Sequence, residues 1–226
     1  MEEWWCGSAK VIAWLWGDPR AINVVREYSP LLEPQGYSFI LPDPRDIVYA
    51  DVAIMPPRDS PEWRMYNPRL IRAAGFIYED DPEVALFRAI AYPRREFLMA
   101  SIGIDPGRRC GLTAVADGVV LKAFKVECSS VGGYVKSVIE RLPSIESNVY
   151  IGDGPGLAIA SASLEAYGVA YTIMGEYGTT RYSVNPWRAI SRDRDIIASL
   201  RIAYMGAYGG GFNNKVHGGR GGKKNR

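Results

Sequence analysis

The segment from Ile102 to Gly107 places a carboxylate where the chain must leave a strand and turn. Small and apolar residues lead up to Asp105, and Pro106-Gly107 follows it directly. Two further strand-like runs follow, over 110–120 and 121–126, and Asp117-Gly118 near the end of the first run is a typical turn signal. The pattern predicts three consecutive strands, with Asp105 at the end of the first as a candidate metal ligand.

The rest of the C-terminal half alternates helices and strands. After the three strands, the sequence predicts a helix near 132–142, a strand over 148–151, a helix over 157–167, a strand over 169–173 and a helix over 193–208. The order βββαβαβα is typical of an α/β domain with a mixed sheet, in which an antiparallel half joins two parallel strands with crossover helices.

A smaller α/β domain is predicted over residues 1–95, ahead of the mixed-sheet domain at 97–208. Its predicted strands cover 10–16, 37–41 and 51–55, and its predicted helices cover 19–32, 68–74 and 82–91, each opened by proline. Residues 92–96 are the predicted linker. Residues 209–226 are rich in glycine and basic residues, and we expect a disordered basic tail.

Charge is distributed unevenly along the chain. Residues 1–100 carry 11 Lys and Arg against 15 Asp and Glu, whereas residues 101–226 carry 16 against 10. A basic half is expected of a protein that binds a polyanion, although solvated surface charge produces the same count. No apolar run is long enough for a membrane span, and the N-terminus lacks a basic signal-peptide region, so we expect a cytoplasmic protein.

The cysteine and histidine content argues against a structural zinc site. The three cysteines, Cys6, Cys110 and Cys128, are widely spaced, and His217 is the single histidine. This set does not match a standard zinc-binding pattern. We therefore expect reduced thiols and no structural zinc.

A second candidate metal ligand follows the fourth predicted strand. Asp153 lies between two glycines directly after the apolar run that ends at Ile151. If this strand lies beside the first, Asp105 and Asp153 emerge at the same edge of the sheet. Two neighbouring carboxylates repel each other, and a divalent cation that prefers oxygen ligands, such as Mg²⁺ or Mn²⁺, relieves that repulsion.

The start of the last predicted helix supplies a third carboxylate. Asp195 shares a helix face with small residues that allow close approach to a sheet, so we prefer it as the ligand and keep Asp193 as its partner. The open alternative for either residue is that it only caps free N–H groups at the helix start.

Arginines accompany these carboxylates and are candidate phosphate contacts. They are Arg108, Arg109, Arg181, Arg188, Arg192 and Arg194. A phosphate backbone that approaches carboxylates needs cations to offset its charge. Tyr177, Tyr182 and Trp187 lie among the later arginines, where they would stack on unpaired bases or pack within the fold.

These residues resemble the ribonuclease H-like superfamily, and within it the RuvC-type Holliday-junction resolvases. The resemblance rests on Met99–Gly107, on its continuation Gly111–Val115, on the acidic end of the fourth strand and on the aspartate-led last helix. It covers residues 97–208, about half the chain. It implies a nuclease in which Asp105 bridges two Mg²⁺ ions, Asp153 holds one, and Asp195, with Asp193, completes the shell of the other.

The sequence departs from that family at two of these positions. The second acid is usually glutamate and is Asp153 here, and the final pair is separated by two residues instead of three. The expected function is therefore metal-dependent hydrolysis of phosphodiester bonds in structured DNA or RNA, with resolvase-like activity and a homodimer as finer expectations. The alternatives are a nucleic-acid-binding scaffold without catalysis and, less favoured, an actin/Hsp70-like ATPase fragment.

Overall fold

The computed structural model describes residues 9–175, residues 190–208 and the backbone of 215–217. The chain divides into two compact units, Met1–Phe97 and Leu98–Arg226. Among the described residues, no helix has the length and apolar character needed to cross a membrane.

The first unit is built on a small parallel sheet. Its elements are β1 (Lys10–Trp14), α1 (Pro19–Leu32), β2 (Tyr37–Ile40), β3 (Val48–Met55), β4 (Ile71–Tyr78) and α2 (Pro82–Ala91). The strands lie in the order β2-β1-β3-β4, and each neighbouring pair is parallel. Both helices begin at a proline, and Asp18 and Asp81 cap them by accepting backbone N–H bonds. The expected smaller α/β fold ahead of the mixed sheet is therefore confirmed.

The predicted helix over residues 68–74 is wrong. Only Pro68–Leu70 forms a short 3₁₀ turn, and Ile71 begins β4. This strand pairs with β3 from Ile71, opposite Val48, to Tyr78, opposite Met55. Parallel pairing along that length outweighs the local helical preference of Ala73-Ala74.

The second unit contains a mixed sheet. Its elements are β5 (Phe97–Pro106), β6 (Cys110–Ala116), β7 (Val119–Val126), α3 (Val131–Arg141), β8 (Ser144–Gly152), α4 (Leu157–Ala166), β9 (Tyr171–Met174), α5 (Arg194–Tyr208) and β10 (Lys215–His217). The strand order is β10-β9-β8-β5-β6-β7. The strands β5, β6 and β7 form an antiparallel meander, and β8 is parallel to β9. The predicted order βββαβαβα is confirmed. Its fourth strand, β8, lies beside its first strand, β5.

Alternate residues of β5 serve the two faces of this sheet. Ile102 and Ile104 are buried in a core that also contains Val131 and Val135 of α3 and Leu164 of α4. The opposite face is covered by α5: the Ser101 hydroxyl donates to the Ala203 carbonyl at 2.6 Å. Asp105 follows the same alternation as Ser101, so its position lies on the α5 face.

The predicted tail at 209–226 lies outside the described residues except for the backbone of Lys215–His217. These three residues form β10, which pairs antiparallel with β9 and places Lys215 opposite Ile173. Disorder therefore does not extend over the whole predicted tail. Without β10, the outer edge of β9 would expose unpaired N–H and C=O groups. The backbone of a short segment can pair with these groups whatever its amino-acid composition.

The expectation of reduced thiols is wrong for two of the three cysteines. Cys110 and Cys128 form a disulfide, with their Cα atoms 5.1 Å apart. The β6–β7 register places Cys110 opposite Val126, only two residues before Cys128. Strand pairing thus brings the two cysteines within the ordinary Cα separation of a disulfide despite their distance along the chain.

Candidate active site

Asp105 and Asp153 line the same open cleft at one edge of the mixed sheet. Asp105 is near the end of β5, and Asp153 directly follows β8, which lies beside β5. The cleft has a volume of about 540 Å³, and Ala198, Arg201 and Ile202 of α5 contribute to its wall. The fold therefore brings the two aspartates that the sequence motifs single out into one cleft.

The two loops that carry these aspartates pack closely against each other. The Gly156 N–H donates to the Pro106 carbonyl at 2.7 Å. A Cβ at Gly154 would lie 2.7 Å from that same carbonyl oxygen, and a Cβ at Gly156 would lie 2.6 Å from the Gly107 carbonyl oxygen. The glycines around Asp153 are needed because only a backbone without side chains fits this close to the Pro106-Gly107 turn.

Asp195 lies over β6, the strand that pairs with the Asp105 end of β5. Gly111 of β6 is directly opposite Asp105, and a Cβ at Gly111 would lie 3.3 Å from the Asp195 Cβ and 2.3 Å from its carbonyl oxygen. Since opposed Cβ positions are roughly 5 Å apart, the Cβ atoms of Asp105 and Asp195 are within roughly 9 Å of each other. The absence of a side chain at Gly111 therefore lets the first turn of α5 approach the acidic edge.

Asp193 caps α5. Its Oδ1 accepts the Asp195 N–H at 2.9 Å, and its carbonyl accepts the Ile197 N–H at 3.0 Å. Partial desolvation opposes ionisation of Asp193, but the Asp195 N–H and then the Lys125 ammonium outweigh it, so the pKa of Asp193 lies below its usual value. The capping alternative therefore describes Asp193, whereas Asp195 lies inside the first helical turn.

Lys125 of β7 holds both carboxylates of this helix start. Its Nζ lies 3.2 Å from Asp193 Oδ2 and also pairs with Asp195 Oδ2. Hydrogen bonds to Asp195 and then to Asp193 raise the pKa of Lys125 above its usual value. Lys125 lies opposite Gly111, so Asp105, Gly111 and Lys125 form one row across three strands.

Four of the six arginines predicted to contact phosphate are exposed near the site, and two lie outside the described residues. Arg108 and Arg109 are exposed in the turn after Asp105, and Arg109 pairs with Glu127 at 3.0 Å. Arg192 and Arg194 are exposed beside the start of α5. Arg181 and Arg188 lie outside the described residues, as do Tyr177, Tyr182 and Trp187.

Three residues of this site were not identified from the sequence. Lys125 and Gly111 become recognisable only through the strand register, which places both in the row of Asp105. Arg201 lines the cleft, and its Nε is buried with no hydrogen-bond partner among the described residues. The available sequence signal for Arg201 was its position three residues after Ala198, which places these two residues on adjoining turns of one helix face, and both line the cleft.

The donor chemistry fits one Mg²⁺ or Mn²⁺ ion better than two. Asp105 and Asp153 offer carboxylate oxygens to one cleft, and Mg²⁺ is commonly held by one or two carboxylates together with water and substrate phosphate. Asp195, the expected ligand of a second ion, is paired with Lys125. Within residues 9–175 and 190–208, no three His, Cys, Asp or Glu side chains form a group suited to a metal ion.

The strand order of the second unit defines its class of fold. The order β7-β6-β5-β8-β9, with an antiparallel meander followed by parallel strands and with helices on both faces, is a ribonuclease H-like mixed α/β arrangement. The expected fold class is thus confirmed.

Comparison with known proteins gives one structural similarity. No family model and no curated protein matches the chain. Among solved structures, T. thermophilus RuvC in complex with a Holliday junction substrate is similar, with 17% sequence identity and a TM-score of 0.37. The match covers 48% of this chain and 92% of that chain.

Proposed function

We propose that the chain is a metal-dependent nuclease that hydrolyses phosphodiester bonds in structured DNA or RNA. The observation that carries the proposal is the cleft shared by Asp105 and Asp153 at adjoining strand ends, with Asp195 over the neighbouring strand. Oxygen ligands gathered at one edge suit a divalent cation, and the surrounding half of the chain is basic.

Each part of the cleft has a chemical role in this proposal. Asp105 and Asp153 would hold Mg²⁺ or Mn²⁺, which supplies an activated water and stabilises charge on the phosphoryl oxygens. Arg201 contributes positive charge to the same wall and would offset the charge of a phosphate in the cleft. The closely packed glycine loops keep the two aspartates in a fixed relation, as positioning of reactants requires.

A second candidate function is nucleic-acid binding without cleavage. It is favoured by the ion pairs of Lys125 with Asp193 and Asp195. In these pairs Lys125 neutralises Asp195, the carboxylate that would otherwise bind a second metal ion. In this alternative, the carboxylates form a charge-balanced structural network, and basic residues such as Arg192 and Arg194 provide affinity for phosphates.

The two candidates are separated by cleavage assays on labelled four-way junction, flap, single strand, duplex and RNA–DNA hybrid, with Mg²⁺ or Mn²⁺ and with ATP hydrolysis measured in parallel. We expect metal-dependent cutting that Asp105→Asn and Asp153→Asn each abolish. Asp59→Asn, at an exposed position of the first unit, is the matched control and should cut normally.

The outcomes discriminate clearly between the candidates. Binding without cutting in every condition would replace the nuclease with the non-catalytic scaffold, and cutting that survives in both variants would place the activity elsewhere. Preference for the four-way junction, with paired symmetric cuts, would support the finer proposal of a resolvase-like homodimer. Hydrolysis of ATP that depends on Asp105 would favour the ATPase alternative.

A further inference from the structure

Lys125 occupies a distinctive position beside the candidate metal site. It lies on β7, two strands away from Asp105 in the same cross-strand row, with Gly111 between them. Because Gly111 is a glycine, β6 adds no side chain to this row between Asp105 and Lys125. Its ammonium group ends between Asp193 and Asp195.

The charges at this edge favour a cation near Asp195. Asp105, Asp153, Asp193 and Asp195 are all carried by elements that meet there, and carboxylates close to one another are destabilising when uncompensated. Lys125 supplies a compact positive charge at the Asp195 carboxylate. Asp193 is also satisfied by its capping bond, so Asp195 depends more on Lys125 for its compensation.

We propose that Lys125 takes the place of a second metal ion at Asp195, so that the free protein binds one divalent ion, through Asp105 and Asp153. This inference rests on the proposed function, since it assumes that Asp105 and Asp153 hold a metal. Removing the lysine charge would leave Asp195 uncompensated and make its oxygens available to a second ion.

The test is the number of Mn²⁺ ions bound per chain, measured by electron paramagnetic resonance of free Mn²⁺ and by calorimetry, with no substrate present. We expect one ion for the wild type and two for Lys125→Met, which keeps a side chain of similar length without the charge. Lys125→Arg keeps the charge and should bind one ion. Lys136→Met, at an exposed position of α3, is the matched control and should also bind one.

Each result is decisive once circular dichroism shows that the variants are folded. Two ions in the wild type, or one ion in Lys125→Met, would overturn the inference. If Lys125→Met does not fold, two ions in Lys125→Arg or in the wild type would overturn it, and one ion in both would support it. Mn²⁺ binding that is unchanged in Asp105→Asn and Asp153→Asn would instead refute the metal site of the proposed function.

Discussion

Replacing Gly111 with alanine should force the start of α5 away from the sheet. A Cβ at this position would lie 2.3 Å from the carbonyl oxygen and 2.7 Å from the carbonyl carbon of Asp195. Ordinary contacts begin near 3.4 Å, so the two backbones must separate by about 1 Å. Both clashing atoms belong to the backbone and have no rotamer that relieves the contact. Overpacking of this kind costs about 1–3 kcal/mol of unfolding free energy.

The same displacement should affect the site more strongly than it affects stability. The start of α5, whose Arg201 lines the cleft, would move relative to Asp105, and a misplacement of about 1 Å in a catalytic arrangement costs on the order of 10²-fold in rate. We therefore expect Gly111→Ala to stay folded at moderate temperature while losing most of the cleavage activity of the proposed nuclease.

Urea denaturation followed by far-ultraviolet circular dichroism measures the first effect, and the cleavage rate at a temperature where the variant is folded measures the second. Gly17→Ala is the control, because a Cβ at Gly17 has no atom within 4 Å. An unchanged urea midpoint in Gly111→Ala would refute the close contact between β6 and α5. A lowered midpoint with normal cleavage would refute the role assigned to the α5 wall of the cleft.

Two further predictions concern Arg201 and Tyr204. Arg201→Gln should weaken nucleic-acid binding and reduce the slope of log affinity against log salt by about one, without lowering stability, whereas Lys136→Gln, at an exposed position of α3, should leave binding unchanged. Fluorescence anisotropy at several salt concentrations measures both slopes, and an unchanged slope in Arg201→Gln would contradict the prediction. Burial, and then the charge of Tyr208, raises the pKa of Tyr204 to about 12. Because an unfolded tyrosine ionises near pH 10, the native state loses stability as the pH rises from about 10 to about 12. Tyr204→Phe should lose less unfolding free energy over this pH range than the wild type. Urea midpoints of the two proteins at both ends of the range measure the difference. Equal losses in the two proteins would show that Tyr204 ionises as readily in the native state as in the unfolded chain.

Much of the fold is predictable where local signals agree with tertiary pairing. The bounds of α1 and α2 follow from an aspartate cap and a proline at the helix start, and both helices end where predicted. The prediction failed at β4, where Ala73-Ala74 favour a helix locally but β3 provides a long parallel partner. It also failed at Cys110 and Cys128, because their proximity depends on which residues of β6 and β7 are opposed.

Some residues of the candidate site could likewise be recognised from the sequence, and others could not. Asp105 and Asp153 are recognisable because each ends an apolar strand and is followed by glycine or proline, which are local features of the sequence. Lys125 is not recognisable, because nothing in its neighbours distinguishes it from the other lysine of β7, Lys122. Its role depends on which β6 residue it faces, and that is a property of the paired strands.

A β-bulge determines which residue of β6 lies opposite Lys125. The β6–β7 register shifts between Ala114 and Val115, so that Gly111 faces Lys125. Counted from the Asp117-Gly118 turn without the shift, Gly111 would face Phe124, and the aromatic ring would project toward α5. With the bulge, Phe124 instead packs against the core on the opposite face of the sheet, and the lysine is directed to the carboxylates. One additional residue in a strand therefore supplies both a filled core and a cation at the acidic edge, which is how bulges commonly redirect side chains near functional sites.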